Sequence, residues 1–363
     1  MSLVVISFDG VKDTEFEKMA HNSVKYPNIA KFMASCNYTG GVPTVFVSNT
    51  YPIHTSIVTG KQPKDHGIIS NLKYINEYDE DVWAQEANLI AKKTIYQAAA
   101  QKKLTVGAIS WPVTCGAKIK WNLPEAHLVK GQKRLPEQMR HGSVFFQALA
   151  FIRHSKKLKG IKEPELDDFL TSVAVDMLTE KKPDLALIHL IAYDDICHKI
   201  GICDDLDIAR ESLDKNLGRI MEVCGDSTVI IFSDHGHLNV NSTINLQELF
   251  KDALKEQCGG CAFFDETIDN IESYPWFGRF LTEQEIFLSG YGGVAFGVAA
   301  KPGFCFAKKH YASNHGYPLD YEDYNVFYAI KNNKKSIVHL HFKDIRNVTE
   351  LIKRELDLDM DLV

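Results

Sequence analysis

The stretch LVVISFDG, residues 3–10, decides the fold. An almost unbroken apolar run ends there at an acidic residue and a glycine. A short run of this kind, rich in β-branched residues, is typical of a strand that is buried on both faces. Functional residues of open α/β sheets tend to lie just beyond the carboxyl ends of such strands. Asp9 is therefore the first candidate functional residue of the chain.

The rest of the chain repeats this pattern of short apolar runs separated by helical segments. The further predicted strands are Thr105–Ser110, Leu185–Ile191, Thr228–Phe232, Val294–Ala299, Asn325–Ile330 and Ile337–His341. The predicted helices include Asn28–Ser35, Thr94–Gln101, Asp207–Cys224 and Val348–Leu356. This alternation predicts a layered α/β fold with a central, mostly parallel sheet flanked by helices.

The rhythm of strands and helices breaks between about residues 240 and 312. We interpret this segment as a small inserted cap subdomain above the sheet, because turn-forming pairs interrupt it at Gly259-Gly260, Pro275-Trp276, Gly292-Gly293 and Pro302-Gly303. The chain of 363 residues is long enough for one large core. We therefore predict a single catalytic domain over residues 1–363 that contains this cap.

Composition narrows the classes of function. The chain is 45% hydrophobic with a net charge of -6, which gives no basic surface for a nucleic-acid duplex. One basic cluster, Arg153–Lys162, is interpreted as a solvated loop or helix end rather than a phosphate-binding strip. No run approaches the roughly 20 apolar residues that span a bilayer, and the apolar N-terminus is too short for a secretion signal. We therefore expect no membrane partner and a cytoplasmic location.

Two more acidic residues follow predicted strands. Asp194 precedes His198 by four residues, so a helix would place both on one face, where they can share a divalent ion. Asp234 is adjacent to His235, and such a pair at a strand end can hold an ion from two sides. The alternatives are helix caps for the acids and a surface ion pair for Asp194. His237 is either an extra ligand or a residue behind the ligands.

A hydroxyl residue and a late histidine complete the candidate set. Thr50 precedes a helical segment, where its ordinary role is a helix cap, but a threonine beside a metal ion can lose its proton and attack phosphorus. His315 stands before a glycine in Asn314-His315-Gly316-Tyr317.

Taken together, these segments resemble the nucleotide pyrophosphatase/phosphodiesterase (type I phosphodiesterase) family of the alkaline phosphatase superfamily. The matching segments run in family order from near residue 1 to about residue 317. They are SFDG at 7–10, NTYPIHTSIVTGKQPKDHGI at 49–68, SWP at 110–112, YDDICHKIG at 193–201, SDHGH at 233–237 and NHGY at 314–317.

The resemblance implies an alkaline-phosphatase-like fold and two divalent metal ions, with zinc favoured by the ligand types. One ion is expected on Asp194, His198 and His315. The other is expected on Asp9, Asp234, His235 and the oxygen of Thr50, the implied nucleophile.

The resemblance also implies a reaction and a set of substrate contacts. The expected reaction is hydrolysis of a phosphodiester or pyrophosphate through a phosphothreonine intermediate, with a small, nucleotide-like substrate. Asn71, Tyr51 and Asn49 are the predicted substrate-binding residues. The alternatives are a turn residue for Asn71 and a core or rim aromatic for Tyr51.

Two residues depart from the family pattern. Ile53 stands where the family usually has an asparagine, and Asn49 stands where many eukaryotic members have a lysine. A phosphomonoesterase or a phosphonate hydrolase of the same superfamily therefore stays open, as does an inactive homologue that binds metal or ligand. A sulfatase is disfavoured, since no C-x-P-x-R or S-x-P-x-R stretch is present. A phosphosugar mutase also fits the residues around Thr50 less well. The oligomeric state is left open.

Overall fold

The computed structural model describes residues 2–75, 81–128, 134–158, 162–335 and 340–362. The strands within these ranges are β1 Leu3–Phe8, β2 Asn37–Val42, β3 Leu72–Ile75, β4 Asp81–Trp83, β5 Val106–Ile109, β6 Trp121–Leu123, β7 Leu185–Leu190, β8 Thr228–Ser233, β9 Leu238–Ile244, β10 Leu254–Cys258, β11 Cys261–Phe264, β12 Phe277–Phe280, β13 Phe296–Ala300, β14 Gly303–Phe306, β15 Ser313–Asn314 and β16 Val326–Lys331. The helices are α1 Asp13–His21, α2 Pro27–Met33, α3 Thr50–Thr59, α4 Pro63–His66, α5 Ile95–Gln101, α6 Arg134–His141, α7 Val144–His154, α8 Glu165–Asp176, α9 Ala192–Ile200, α10 Asp207–Cys224, α11 Leu246–Leu249, α12 Glu283–Ser289 and α13 Asn347–Leu356.

A seven-stranded sheet in the order β2-β16-β8-β1-β7-β5-β6 forms the centre of the fold. Strands β8, β1, β7, β5 and β6 are parallel, and β16 runs antiparallel to both of its neighbours. The sheet is therefore mostly parallel, and the predicted α/β fold is confirmed. Because these parallel strands share one direction, the segments that follow them meet at a single edge.

Helices cover the central sheet on both faces. Val4, Ile6 and Phe8 of β1 contact one core cluster, whereas Leu3 and Val5 contact the other. This alternation buries both faces of the strand, as its continuous apolar sequence predicts. Core residues of α8 and α10 belong to the first cluster, and core residues of α3, α5 and α13 belong to the second.

Predicted and observed elements agree best in the central sheet. Leu3–Phe8 and Asp207–Cys224 have the predicted bounds, and most other predicted elements differ by one or two residues at their ends. The run predicted at Val294–Ala299 forms β13, Phe296–Ala300, in a separate four-stranded sheet. The strand predicted at Ile337–His341 has three of its five residues outside the described residues, and the other two, Leu340 and His341, do not lie in a strand.

The segment that the sequence predicts as a cap contains its own sheet. Strands β10, β11, β13 and β12 pair antiparallel, and their apolar side chains form a separate cluster around Phe264, Trp276 and Phe306. The neighbouring three-stranded sheet, β14-β9-β15, joins this region to the segment that carries His315. The division of the chain into a catalytic domain and a cap stays a prediction. Within the described ranges, no helix is long and apolar enough to cross a bilayer.

Candidate metal centre

The three acidic residues predicted from strand ends lie at the carboxyl edge of the central sheet. Asp9 directly follows β1, Asp234 directly follows β8, and Asp194 lies in the first turn of α9 after β7. Because β8, β1 and β7 are adjacent in the sheet, residues far apart in sequence meet here. Thr50 is the first residue of α3, so the positive end of that helix lies at its hydroxyl.

Asp9, Asp234 and His235 form the first candidate set, and Thr50 lies beside it. The Nε2 atom of His235 lies 3.3 Å from Oδ1 of Asp9, 3.4 Å from Oδ2 of Asp234 and 3.3 Å from Oγ1 of Thr50. The two carboxylate oxygens are fully buried, and neither has a hydrogen-bond partner among the described residues. Buried anionic oxygens without partners are costly, and a divalent cation bound between them offsets that cost. The donor atoms therefore fit a metal ion.

The electrostatics of this set reflect two carboxylates held close together. Burial and the nearby charge of Asp9 raise the pKa of Asp234. Burial by itself would lower the pKa of His235, but the charges of Asp234 and Asp9 raise it to about 9. Without metal, a proton on His235 thus partly neutralises the two acids, and metal binding has to displace that proton.

The second candidate set consists of Asp194, His198 and His315. His198 donates from Nδ1 to the carbonyl oxygen of Ser313 at 2.9 Å, which leaves Nε2 free, 3.5 Å from Oδ1 of Asp194. His315 donates from Nδ1 to Oδ1 of Asn49 at 2.9 Å, which leaves its Nε2 available as well. The two candidate sets are close neighbours, since the rings of His235 and His315 stack with centroids 4.0 Å apart.

His237 lies behind the second set. Its Nε2 is 2.6 Å from Oδ1 of Asp194, and its Nδ1 is 3.0 Å from the hydroxyl of Ser313. Burial opposes the charge on Asp194, but His198 and His237 lower its pKa well below the usual range. The short contact is typical of a hydrogen bond that orients a carboxylate. It favours an orienting role among the two alternatives for His237.

The predicted substrate-binding residues differ in their surroundings. Oδ1 of Asn71 accepts a hydrogen bond from the backbone N–H of Tyr51 at 2.9 Å, so its NH₂ group is left to donate. Asn49 is engaged by His315. The Tyr51 side chain is fully buried, with its ring 5.2 Å from that of Trp83, which favours the core aromatic over a platform for substrate. Ile53 is also fully buried, in the core cluster that contains Leu3 and Val5 of β1.

Sequence reasoning missed His189, which contacts Asp9, and Glu125, which contacts His189. Nε2 of His189, in β7, lies 3.0 Å from Oδ2 of Asp9. Its Nδ1 lies 3.1 Å from the carbonyl oxygen of Ser110 and 3.4 Å from Oε2 of Glu125. Since these neighbours are acceptors, both ring nitrogens have to donate, and the buried ring is a cation. The one available signal was a histidine inside the apolar run LALIHL.

The pKa values agree with this pairing. Burial opposes protonation of His189, but Asp9 and Glu125 raise its pKa well above the usual range. Burial would raise the pKa of Glu125, but its bonds with His127 and His189 lower it to about 2. Asp9 is therefore fixed through one oxygen by His189, and its other oxygen faces His235.

The chain matches one family model and is similar in sequence to known proteins. The family model for type I phosphodiesterase / nucleotide pyrophosphatase matches residues 3–281. Human ectonucleotide pyrophosphatase/phosphodiesterase family member 5 is 25% identical over 254 residues, which cover 64% of this chain and 44% of that protein. The match thus spans less than half of that relative's length.

Two solved structures show the same fold. The murine ectonucleotide pyrophosphatase/phosphodiesterase 5, an inactive threonine-to-alanine variant in complex with AMP, superposes with a TM-score of 0.68 at 17% identity over 99% of this chain and 96% of that one. Phosphonoacetate hydrolase from Sinorhizobium meliloti, in complex with phosphonoacetate, has a TM-score of 0.66 at 14% identity over 98% of this chain and 96% of that one.

Proposed function

Because the chain belongs to the type I phosphodiesterase / nucleotide pyrophosphatase family, we propose that it is a hydrolase of phosphodiester or pyrophosphate bonds. We further propose that two divalent ions, zinc by preference, assist it and that Thr50 is the nucleophile. One observation carries the proposal: the Thr50 hydroxyl lies 3.3 Å from His235, beside two buried carboxylate oxygens that have no partner among the described residues.

The candidate ligands form two metal sites in this proposal. Asp9, Asp234, His235 and Thr50 would hold one ion, and Asp194, His198 and His315 would hold the other. Bound cations supply Lewis acidity, which lowers the pKa of a hydroxyl and offsets negative charge on the phosphoryl group. His189 and His237 each orient one carboxylate, and the Nδ1 bonds of His198 and His315 direct their Nε2 atoms into the centre.

The chain's own groups then suggest a two-step displacement. The Thr50 oxygen attacks phosphorus, a threonine–phosphate bond forms, and the bond to the leaving group breaks. Water then attacks this phosphorus from the side that the leaving group has vacated. The threonine–phosphate bond breaks, the Thr50 oxygen takes up a proton, and the remaining part of the substrate leaves as a phosphate monoester, which for a nucleotide substrate is the nucleoside monophosphate. The NH₂ group of Asn71 is placed to donate to a phosphate oxygen, because its other amide atom is held by Tyr51. Such a donor stabilises the charge that develops in the transition state.

A nucleotide-like small molecule is the proposed substrate class. The relative solved with AMP supports this class, since its fold covers almost the whole of this chain. A phosphonate or phosphomonoester hydrolase is the second candidate, favoured by the phosphonoacetate hydrolase neighbour and by Ile53, which offers no side-chain donor. An inactive metal-binding homologue is the third candidate.

A direct experiment separates these candidates. The purified protein is stripped of metal, reloaded with zinc and assayed on a nitrophenyl ester of a nucleotide, on nitrophenyl phosphate and on phosphonoacetate. We expect turnover that needs metal and that is highest on the nucleotide diester. Highest activity on either of the other substrates would move the assignment to the second candidate. Tight metal binding without turnover of any of them would support the inactive homologue.

A further inference from the structure

The outer face of α7 is apolar although it faces solvent. Phe145 is 92% exposed, Ile152 is 79% exposed and Val144 is 51% exposed. On the opposite face, Phe146 and Ala150 are buried against the core. The helix is thus apolar on both sides, and the fold accounts for only one of them. An exposed apolar patch of this kind marks an interaction surface.

The exposed side chains form one stripe. Phe145, the half-buried Leu149 and Ile152 follow each other at intervals of four and three residues, so they lie on the same side of the helix. Lys156 comes four residues after Ile152 and is also exposed. At the other end, the hydroxyl of Ser143, the residue before α7, lies 3.0 Å from the backbone carbonyl of Lys120, whose side chain is exposed. Exposed lysines therefore lie in the segments next to both ends of α7, with the ammonium group of Lys120 over the ring of Trp121.

Charge is unevenly distributed along the chain. Residues 118–162 contain eleven Lys or Arg and two Glu, a net charge of +9, whereas the whole chain has -6 and the remainder therefore -15. Arg153 is paired with Asp176 and Glu180, so it adds little to the positive field. Among the described residues of this segment, the exposed lysines without an acidic partner within 4 Å are Lys118, Lys120, Lys156, Lys157 and Lys162, and Lys157 also donates to the hydroxyl of Ser172.

We propose that this surface, the α7 patch (Val144, Phe145, Leu149 and Ile152 with Lys118, Lys120, Lys156 and Lys157), docks on an anionic lipid surface. An apolar stripe bordered by lysines has the pattern of a helix that lies in a membrane interface, with its apolar side chains between the headgroups. Anionic headgroups complement the cations, while the acidic remainder of the molecule is repelled from the membrane.

Other occupants fit the same surface less well. A nucleic acid would pair with the lysines but would not bury Phe145 and Ile152. A second copy of this chain, docked patch to patch, would bring two strongly basic segments together. A peripheral contact needs no spanning helix. The proposal departs from two sequence-based expectations, namely that the chain has no membrane partner and that Arg153–Lys162 is a solvated loop or helix end.

Flotation of the full chain with vesicles tests the proposal. Vesicles of phosphatidylcholine alone are compared with vesicles in which about a third of the lipid is phosphatidylserine. We expect binding to the anionic vesicles at least tenfold above binding to the neutral ones, weakening as salt rises. Phe145→Ser/Ile152→Ser should lower it at least tenfold, and Lys156→Glu/Lys157→Glu should do the same.

The matched control is Val24→Ser/Ile208→Ser, which removes two apolar side chains that are 95% and 54% exposed elsewhere on the surface. This control should bind like the wild type. The proposal is overturned if the wild type does not float with anionic vesicles, or if the control loses as much binding as the patch variants. It is also overturned if the patch variants change only self-association in sedimentation velocity, or only the mobility shift of a nucleic-acid duplex.

Discussion

The two candidate metal sites stabilise buried charge in different ways. The first half of the centre is Asp9, Asp234 and His235 with Thr50, and the second half is Asp194, His198 and His315. Around Asp9 and Asp234 the side chains are almost fully buried, and two carboxylate oxygens lack partners among the described residues. Around Asp194 the site is slightly open, with Asp194 13% and His198 17% exposed, and imidazoles surround the single acid. The first half needs a cation to relieve the repulsion between its two carboxylates, whereas the single carboxylate of the second half is already stabilised by its contacts with His237 and His198. This difference predicts opposite responses to substitution.

The largest effect is expected at the hydroxyl beside the first half. Thr50→Ala should lower kcat by about 10³-fold or more, because the attacking oxygen is lost. Both metal equivalents should stay bound, since the carboxylates and imidazoles are intact. Thr50→Ser is the matched control and should retain much of the activity. Steady-state kinetics and metal analysis check the result, and wild-type turnover in the alanine variant would remove Thr50 from the chemistry.

Charge removal tests the contrast between the halves directly. Asp234→Asn should raise the thermal stability of the metal-free protein, because it ends the repulsion with Asp9 and keeps an oxygen for the backbone N–H groups of Gly10 and His235. Asp194→Asn should lower it, because His198 and His237 lose their anion. Shifts of roughly 1–3 kcal/mol in opposite directions are expected. Each variant should lose one metal equivalent. Unfolding in chelator measures the stabilities, and shifts of the same sign would contradict the contrast.

The orienting cation behind Asp9 should matter next. His189→Gln is expected to weaken binding of the first ion by about 10–100-fold, since glutamine cannot donate to Asp9 and to Ser110 or Glu125 with the same rigidity. The second ion should be unaffected. The matched control is His66→Gln, a buried histidine that contacts Ser56 and the Ile68 backbone instead of a candidate ligand. Calorimetric titration with zinc distinguishes the variants, and equal losses in both would reduce His189 to a packing residue.

Protonation gives a further way to separate the halves. The pKa of His235 is raised from 6.5 to about 9, so its stabilising contribution in the metal-free protein is complete below pH 6.5 and is lost as the pH rises through 9. Because the metal displaces that proton, affinity at the first half should increase over the same window. Zinc titrations from pH 6 to pH 9.5, with His235→Asn as the variant that lacks the dependence, test this. A flat profile in the wild type would contradict it.

The smallest effect is expected at Asn49. Asn49→Ala should weaken binding of the second ion by about tenfold or less, because the backbone carbonyl of Ser48 still lies 3.2 Å from Nδ1 of His315. Asn49→Asp keeps an acceptor and should bind metal like the wild type. If instead KM rises in the alanine variant while metal affinity is unchanged, Asn49 contacts substrate, as the sequence predicts.

The sequence predicted those features that depend on short stretches of neighbouring residues. Leu3–Phe8 was predicted with its observed bounds because a six-residue apolar run that is rich in β-branched residues and ends at Asp9 is too short for a typical helix and favours a buried strand. The acids after β7 and β8 followed from the same logic, and the order of the motifs identified the family. The segment around Val294–Ala299 carried a strand signal too, but not the information that the strand belongs to a separate sheet.

Contacts between residues that are far apart in the sequence could not be predicted from local patterns. Glu125 follows a three-residue strand and carries no motif, yet it contacts a histidine 64 positions later in the chain. Asn49 and His315 are 266 residues apart, so their bond depends on the loop after β15. For Tyr51, the sequence left a stacking platform and a core aromatic equally open, and only packing against Trp83 distinguishes them.

The central claim is that residues from five separate segments hold two cations side by side at the carboxyl edge of the sheet. Crystals soaked in zinc and measured on both sides of the zinc absorption edge test it most directly. The account predicts two anomalous peaks, one within about 2.0–2.2 Å of Asp9, Asp234 and His235 and the other equally close to Asp194, His198 and His315. A single peak, or zinc bound only elsewhere on the molecule, would contradict the account.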